Sequence, residues 1–170
     1  MKEIIRDIED FPKEGIIFKD ISPLLGNPVA FQKSINTLKD RYADKKVDAV
    51  VGVEARGFIF ASALAYAMGI GMVMVRKPGK LPYKTFQETY SLEYGTDIVE
   101  VHQDAFRDGQ NILVIDDVLA TGGTLSATLD LIQKNFKNVK VLEAAFLIEL
   151  GFLNGREKLK DTPVYSIIHY

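Results

Sequence analysis

Two adjacent carboxylates, Asp116 and Asp117, follow directly on an apolar, β-branched run of Ile112, Leu113, Val114 and Ile115. Two residues further on comes a small, hydroxyl-rich turn, Ala120-Thr121-Gly122-Gly123-Thr124. The apolar run has the composition of a buried central strand, and residues 125–133 read as a helix, so the acids and the turn lie between a strand end and a helix N-terminus. The turn has the parts of an anion cradle: glycines that admit close backbone approach, outward-pointing amides at a helix start, and two threonine hydroxyls. Carboxylates beside such a cradle would repel an anion alone. They make sense for a ligand that also presents hydroxyls or brings a cation, because carboxylates accept hydrogen bonds from a diol and favour hard ions such as Mg2+. A sugar phosphate has those properties. Taken singly, the turn is also an ordinary helix N-cap and the acids an ordinary solvated corner; their order and adjacency favour the ligand.

The elements that must position these groups read as an α/β chain. Residues 47–53, VDAVVGV, form a second buried strand, which ends in Glu54-Ala55-Arg56-Gly57 before a helix over residues 58–68. In an open α/β sheet, ligands bind beyond the carboxyl ends of the strands. Arg56 has the planar donors that suit a pyrophosphate, with Glu54 to orient it; the plainer reading is a loop salt bridge between the two. Residues 28–42 read as a helix with Pro28 in its first turn and Phe31, Ile35 and Leu38 on one face. Residues 71–75, 139–150 and 164–168 read as further strands. Residues 1–8 read as a short amphipathic helix with Ile4, Ile5 and Ile8 together, and the Pro- and Gly-containing segment 11–25 as an apolar loop strapped over the core.

Residues 76–89, RKPGKLPYKTFQET, carry four basic residues and two prolines and show no hydrophobic periodicity, which predicts a mobile surface loop. A basic loop that closes over a site would neutralise a leaving pyrophosphate and exclude water. Residues 91–95 begin a strand pair that returns over residues 97–101, where Glu93 reads as an exposed strand residue.

Length and composition set the outer bounds. A chain of 170 residues with 47% hydrophobic and 26% charged residues forms one domain with a sizeable core. The formal net charge of -2 gives no electrostatic case for nucleic acid or a membrane surface. Without cysteine there is no disulfide, thiol catalysis or thiolate metal site, and two histidines, His102 and His169, support neither a triad nor a His-based metal centre. The charged start and the lack of a bilayer-length apolar run make a cytoplasmic protein the simplest expectation.

The stretch VIDDVLATGGT resembles the phosphoribosyl diphosphate (PRPP) motif of the type I phosphoribosyltransferases. Residues 11–25, FPKEGIIFKDISPLL, resemble the opening of the adenine members of that family, VEARGF resembles their pyrophosphate loop, RKPGKLP followed by SLEYG their flexible catalytic loop, and GREKL their C-terminal part; together they cover nearly the whole chain. The resemblance implies a type I phosphoribosyltransferase fold, a mostly parallel twisted sheet flanked by helices. It also implies a single domain over residues 1–170, with a small hood from about residues 1–25 and 150–170 and a flexible catalytic loop at about 76–95.

Carried over by position, Asp116 and Asp117 hold the ribose hydroxyls, directly or through Mg2+, and Ala120, Thr121, Gly122, Gly123 and Thr124 grip the 5'-phosphate. The ion itself is held mainly through PRPP. Arg56, Arg76, Lys77 and Lys80 reach the pyrophosphate. Ile17, Phe18 and Leu150 line the adenine pocket, with the backbone around Ile17 and Lys19 reading the purine edge. Lys19 stands where the family usually has Arg. Glu93 handles the purine proton, Tyr94 gates the ribose, and Glu149 joins Leu150 beside the base. The implied activity is adenine plus PRPP giving AMP and pyrophosphate, in a homodimer. Two other functions fit the central motif: transfer to another nucleobase such as xanthine or hypoxanthine, and PRPP sensing without turnover. The hood sequence favours adenine over the first, and the basic loop, with no added nucleic-acid-binding segment, argues against the second.

Overall fold

The apolar run at 112–115 becomes the middle of a five-stranded sheet because both of its faces have something to cover them. The computed structural model describes residues 1–91, 95–159 and 161–170. In chain order the strands and α-helices are β1 (Arg6–Ile8), β2 (Phe18–Asp20), α1 (Ser22–Leu25), α2 (Pro28–Arg41), β3 (Ala49–Val53), α3 (Gly57–Met68), β4 (Gly71–Val75), β5 (Thr85–Ser91), β6 (Thr96–His102), β7 (Asn111–Leu119), α4 (Gly123–Asn135), β8 (Lys140–Glu149) and β9 (Val164–His169). The main sheet is parallel, in the order β4-β3-β7-β8-β9. Leu113 and Ile115 point into one core with Leu38, Phe60 and Leu64; Ile112 and Val114 point into the other with Leu125, Leu129 and Ile132. Each such side chain, fully buried, contributes about 1.5–3 kcal/mol.

Numbered within the sheet, the strand order is 2-1-3-4-5, and the order reverses between β3 and β7. Ligands bind at such a switch point, beyond the strands' carboxyl ends. The last pair between these strands is Gly52 with Ile115, so Glu54 to Arg56 and Asp116-Asp117 emerge side by side from the reversal. Close packing keeps them there, since a Cβ on Gly57 would lie 2.8 Å from the Ile115 carbonyl and 2.9 Å from Asp116 Oδ1.

Three expectations from the sequence need correction. Residues 1–8 do not form a helix: a 3-10 turn at Lys2–Ile4 leads into β1, which pairs antiparallel with β2. So short a helix is marginal by itself, and the Arg6–Asp20 ion pair at 2.7 Å supports the extended form. The strap at 11–25 likewise contains β2 and α1. The basic segment is a loop only as far as Lys84, because TFQETYS alternates as a strand and pairs along its length with β6. Phe86 packs edge-on against Phe136 at 5.5 Å and ties this hairpin to α4.

The two chain ends meet above the switch point. Lys2 Nζ donates to the His169 carbonyl at 2.6 Å, and the Lys19 ammonium lies 3.9 Å from the centre of the Tyr170 ring.

Candidate active site

The paired acids stand where two cavities join. One, of about 410 Å3, is lined by Ile17, Phe18, Lys19, Arg56, Asp117 and Leu150 among others; the second, of about 90 Å3, is enclosed by residues 118–125. Asp116, Val118 and Ala120 line both. A larger groove of about 1,230 Å3 runs from the hood at Ile16, Phe152 and Tyr170 to Thr121, Gly123 and Thr124. A separate cavity of about 310 Å3 behind α4, beside Gln133 and Lys140, contains none of the residues expected to carry chemistry.

The strand bearing the acids does not stop at them. It pairs with β8 as far as Leu119, whereas its pairing with β3 ends at Ile115, so one edge of the strand is released at Asp116 while the other stays fixed. Asp117 is only 4% exposed. Its Oδ2 lies 2.8 Å from Arg56 Nε, an ion pair whose geometry aligns no hydrogen bond, and that buried oxygen has no hydrogen-bond partner among the described residues. Burial raises the Asp117 carboxyl above its ordinary value against the pull of Arg56. Burial raises Asp116 well above its ordinary value too, and there the neighbouring Asp117 charge adds to the effect. Such a pair favours whatever supplies donors or positive charge to it.

The cradle at residues 120–124 is held by its backbone. Gly122 is left-handed (φ 75°) and α4 starts at Gly123, so the helix N-terminal amides face the small cavity. A Cβ on Gly122 would collide with the Gly155 carbonyl, and one on Gly155 with the Ala120 carbonyl. Two glycine backbones are therefore pressed together beneath the cradle. Thr121 is exposed, while Thr124 Oγ1 shares a 3.1 Å hydrogen bond with the Tyr90 hydroxyl.

On the opposite wall, Glu54 does not orient Arg56. Its carboxylate takes Arg76 Nε and Nη2 at 3.2 Å, the Lys77 amide at 2.9 Å and Lys80 Nζ at 3.1 Å. Burial opposes ionisation of Glu54, but the Lys77 amide, Arg76 and Lys80 outweigh it and hold the carboxyl down at about 2. Arg56 instead pairs with Asp117 and sits 4.8 Å from the centre of the Phe18 ring. Lys77 Nζ forms an ion pair with Asp97 and donates to Tyr90 Oη at 2.8 Å. Of the cations expected at phosphates, Arg56 lines the 410 Å3 cavity, Arg76 and Lys80 are gathered on the cavity-lining Glu54, and all four are paired to carboxylates.

In the hood, Ile17, Phe18 and Leu150 all line the 410 Å3 cavity. The Lys19 ammonium bonds Asp7 at 2.7 Å. Glu149 is not a pocket-lining acid: its carboxylate is gripped by Arg156 at 2.5 and 2.6 Å. Glu93 and Tyr94 lie outside the described residues.

Sequence reasoning missed Tyr90, Asp97, Gly155 and Arg156. The alternation in TFQETYS was a usable signal for Tyr90; the others depend on contacts between distant segments.

The fold and site define a phosphoribosyl transferase, and the family model described as "Phosphoribosyl transferase domain" matches residues 21–169. The chain belongs to this family, and within it to the adenine phosphoribosyltransferases. It is 54% identical to the adenine phosphoribosyltransferase of Geobacter metallireducens over 100% of this chain and 98% of that protein, and 54% identical to that of Chloroflexus aurantiacus over 100% and 97%. The crystal structure of the adenine phosphoribosyltransferase from Thermoanaerobacter pseudethanolicus superimposes with a TM-score of 0.95 at 47% identity, covering 99% of this chain and 97% of that one. The Saccharomyces cerevisiae enzyme, complexed with an imino-altritol bisphosphate and adenine, gives 0.91 at 41% identity over 98% and 95%.

Proposed function

We propose the following division of labour for the reaction of an adenine phosphoribosyltransferase, in which adenine and PRPP give AMP and pyrophosphate. The observation that carries it is the position of Asp116, on the wall shared by a small amide-lined cavity and a larger apolar one. The 5'-phosphate sits in the cradle of Ala120, Thr121, Gly122, Gly123 and Thr124. The ribose hydroxyls donate to Asp116 and Asp117, whose carboxyls burial raises above their ordinary value, so that donors brought by a ligand favour the ionised form. Adenine lies against Ile17, Phe18 and Leu150, beside the Lys19 backbone. The pyrophosphate faces Arg56, Arg76, Lys77 and Lys80, which exchange their carboxylate partners for phosphate oxygens.

Anchoring at the phosphate and hydroxyls, remote from the anomeric carbon, aligns that carbon with the purine nitrogen. The nitrogen attacks as the bond to the pyrophosphate oxygen breaks, through a transition state with oxocarbenium character. Basic side chains stabilise the charge that develops on the departing group. Glu93 receives the proton that the purine nitrogen gives up, and Tyr94 closes over the ribose.

The residues fit an accompanying Mg2+. The buried Asp117 Oδ2, in ion-pair contact with Arg56 but without a hydrogen bond, and the Asp116 carboxyl are hard oxygen donors. No group of three or more acidic, His or Cys side chains that would hold an ion converges among the described residues. An ion brought mainly by PRPP would find its protein oxygens in Asp116 or Asp117 and would supply charge neutralisation on the pyrophosphate. The same proposal includes one phosphoribosyltransferase domain over residues 1–170, with its hood and catalytic loop, working as a cytoplasmic homodimer with small molecules as its only substrates. No helix among the described residues is long and apolar enough to cross a membrane.

The test is one assay of purified protein with PRPP and Mg2+ against adenine, hypoxanthine, guanine and xanthine separately. AMP from adenine alone is the expected result; turnover of another base refutes the hood assignment, and omission of Mg2+ should abolish the reaction.

A further inference from the structure

The ion pair between Arg156 and Glu149 lies outside the pocket, yet it is built like a functional element. Glu149, the last residue of β8, is 7% exposed and receives Arg156 Nε at 2.5 Å and Nη2 at 2.6 Å, a fork on both carboxylate oxygens. Arg156 Nη1 also donates to the Val164 carbonyl at 3.3 Å. These bonds tie the 3-10 turn Gly155–Leu159 to the ends of two core strands. The residue preceding Arg156 is Gly155, whose backbone is pressed against Ala120 and Gly122. A displacement of that turn cannot be absorbed locally, because Gly122 has no room even for a Cβ against the Gly155 carbonyl, nor Gly155 for one against the Ala120 carbonyl.

We propose that Arg156 and Glu149 are positioning residues for the phosphate cradle: their ion pair fixes the turn whose Gly155 backbone sets the floor under residues 120–122. This rests on the reading of residues 120–124 as the 5'-phosphate subsite. Neither side chain touches substrate, so the pair acts only through the position of Gly155. Loosening it lets the cradle widen, which weakens grip on the phosphate and leaves the adenine wall at Ile17 and Phe18 alone.

The experiment compares steady-state constants for the wild type, Arg156→Ala and Arg156→Lys, with the dissociation constant of ribose 5-phosphate measured by calorimetry. In Arg156→Ala, KM for PRPP and the ribose 5-phosphate constant should both rise about tenfold, with KM for adenine and kcat at saturating PRPP changed less than about twofold. Arg156→Lys keeps the charge but loses the fork and should fall between. If Arg156→Ala does not fold, the lysine variant carries the comparison. A lowered melting temperature with unchanged phosphate affinity overturns the proposal and makes the pair a stability element only. The double variant Thr121→Val/Thr124→Val is the control for the subsite: if it binds ribose 5-phosphate like the wild type, the cradle reading fails, whatever Arg156 does.

Discussion

The loop after β7 and the basic segment before β5 flank Glu54 and the paired acids, but they are held in place by different forces. The cradle at residues 120–124 is fixed by its backbone: a left-handed Gly122, a helix start at Gly123, and a glycine backbone pressed up from beneath. The opposite wall is fixed by side chains, with Glu54 collecting Arg76, Lys80 and the Lys77 amide, and Asp97 collecting Lys77. A packed backbone has few alternative arrangements. Ion pairs made by flexible, partly exposed lysine and arginine side chains exchange partners more easily. The first wall is suited to a group that stays bound through the reaction, the 5'-phosphate, and the second to one that must leave, the pyrophosphate.

Substitutions test this contrast, beginning where the effect should be largest. Asp117→Asn should lower kcat/KM by about 100- to 1,000-fold, since it removes a charge aimed at the reacting sugar. Wild-type kinetics in that variant would remove Asp117 from the mechanism. Gly122→Ala comes next, with KM for PRPP raised by about 100-fold and a lowered melting temperature, because the new methyl meets the Gly155 carbonyl at a positive φ. A near-silent Gly122→Ala would mean that the cradle is no more rigid than the wall opposite.

Glu54→Gln should act more weakly and in the other direction. It frees Arg76 and Lys80 for phosphate, so pyrophosphate should inhibit about three- to fivefold more strongly, while the segment at 76–84 becomes more sensitive to protease. Weaker pyrophosphate inhibition would show that Glu54 holds those cations in their working positions. Tyr90→Phe removes the hydroxyl joining Lys77 to Thr124 and should cost about two- to fivefold in kcat/KM, the smallest of these effects.

Acidity separates the walls again, with opposite signs. Asp116 and Asp117 are raised above the ordinary 3.8, so ionising them costs stability. Stability on their account is gained as the pH falls from their raised folded values towards 3.8. Glu54 is lowered from 4.5 to about 2, so its contribution is complete above 4.5 and lost as the pH falls towards 2. Melting curves without substrate should show Asp116→Asn more stable than the wild type near neutrality, by roughly 2–4 °C per kcal/mol recovered. Glu54→Gln should flatten only the acid limb. A destabilised Asp116→Asn would mean that the acids are stabilised by partners other than Arg56.

Much of the sheet is readable because its central strands are buried on both faces: 49–53 and 112–115 appear as nearly unbroken apolar runs, and helix α2 announces itself by spacing and Pro28. Segment 1–8 suggests a helix because Ile4, Ile5 and Ile8 share one helical face, and only the pairing of residues 6–8 with β2 shows the extended form. β5 was missed because its prolines and lysines upstream resemble a loop, although its own seven residues alternate. In the site, the acids, the glycine turn and Arg56 were legible as residue types next to one another in the chain. The partner of Glu54 was not, since an adjacent Arg56 and a distant Arg76 carry the same charge.

The sequence by itself determined which chemistry is available: a carboxylate pair beside an anion cradle, a guanidinium after a second strand, and a basic segment between strands. It could do so because those groups are contiguous, and strand and helix signals are local. Only the tertiary structure decided which charges neutralise which, that Gly155 supports Gly122, and that Asp116 belongs to two cavities at once. Those relations depend on strand order and on backbones meeting across the fold, and no local pattern of residues encodes that distance.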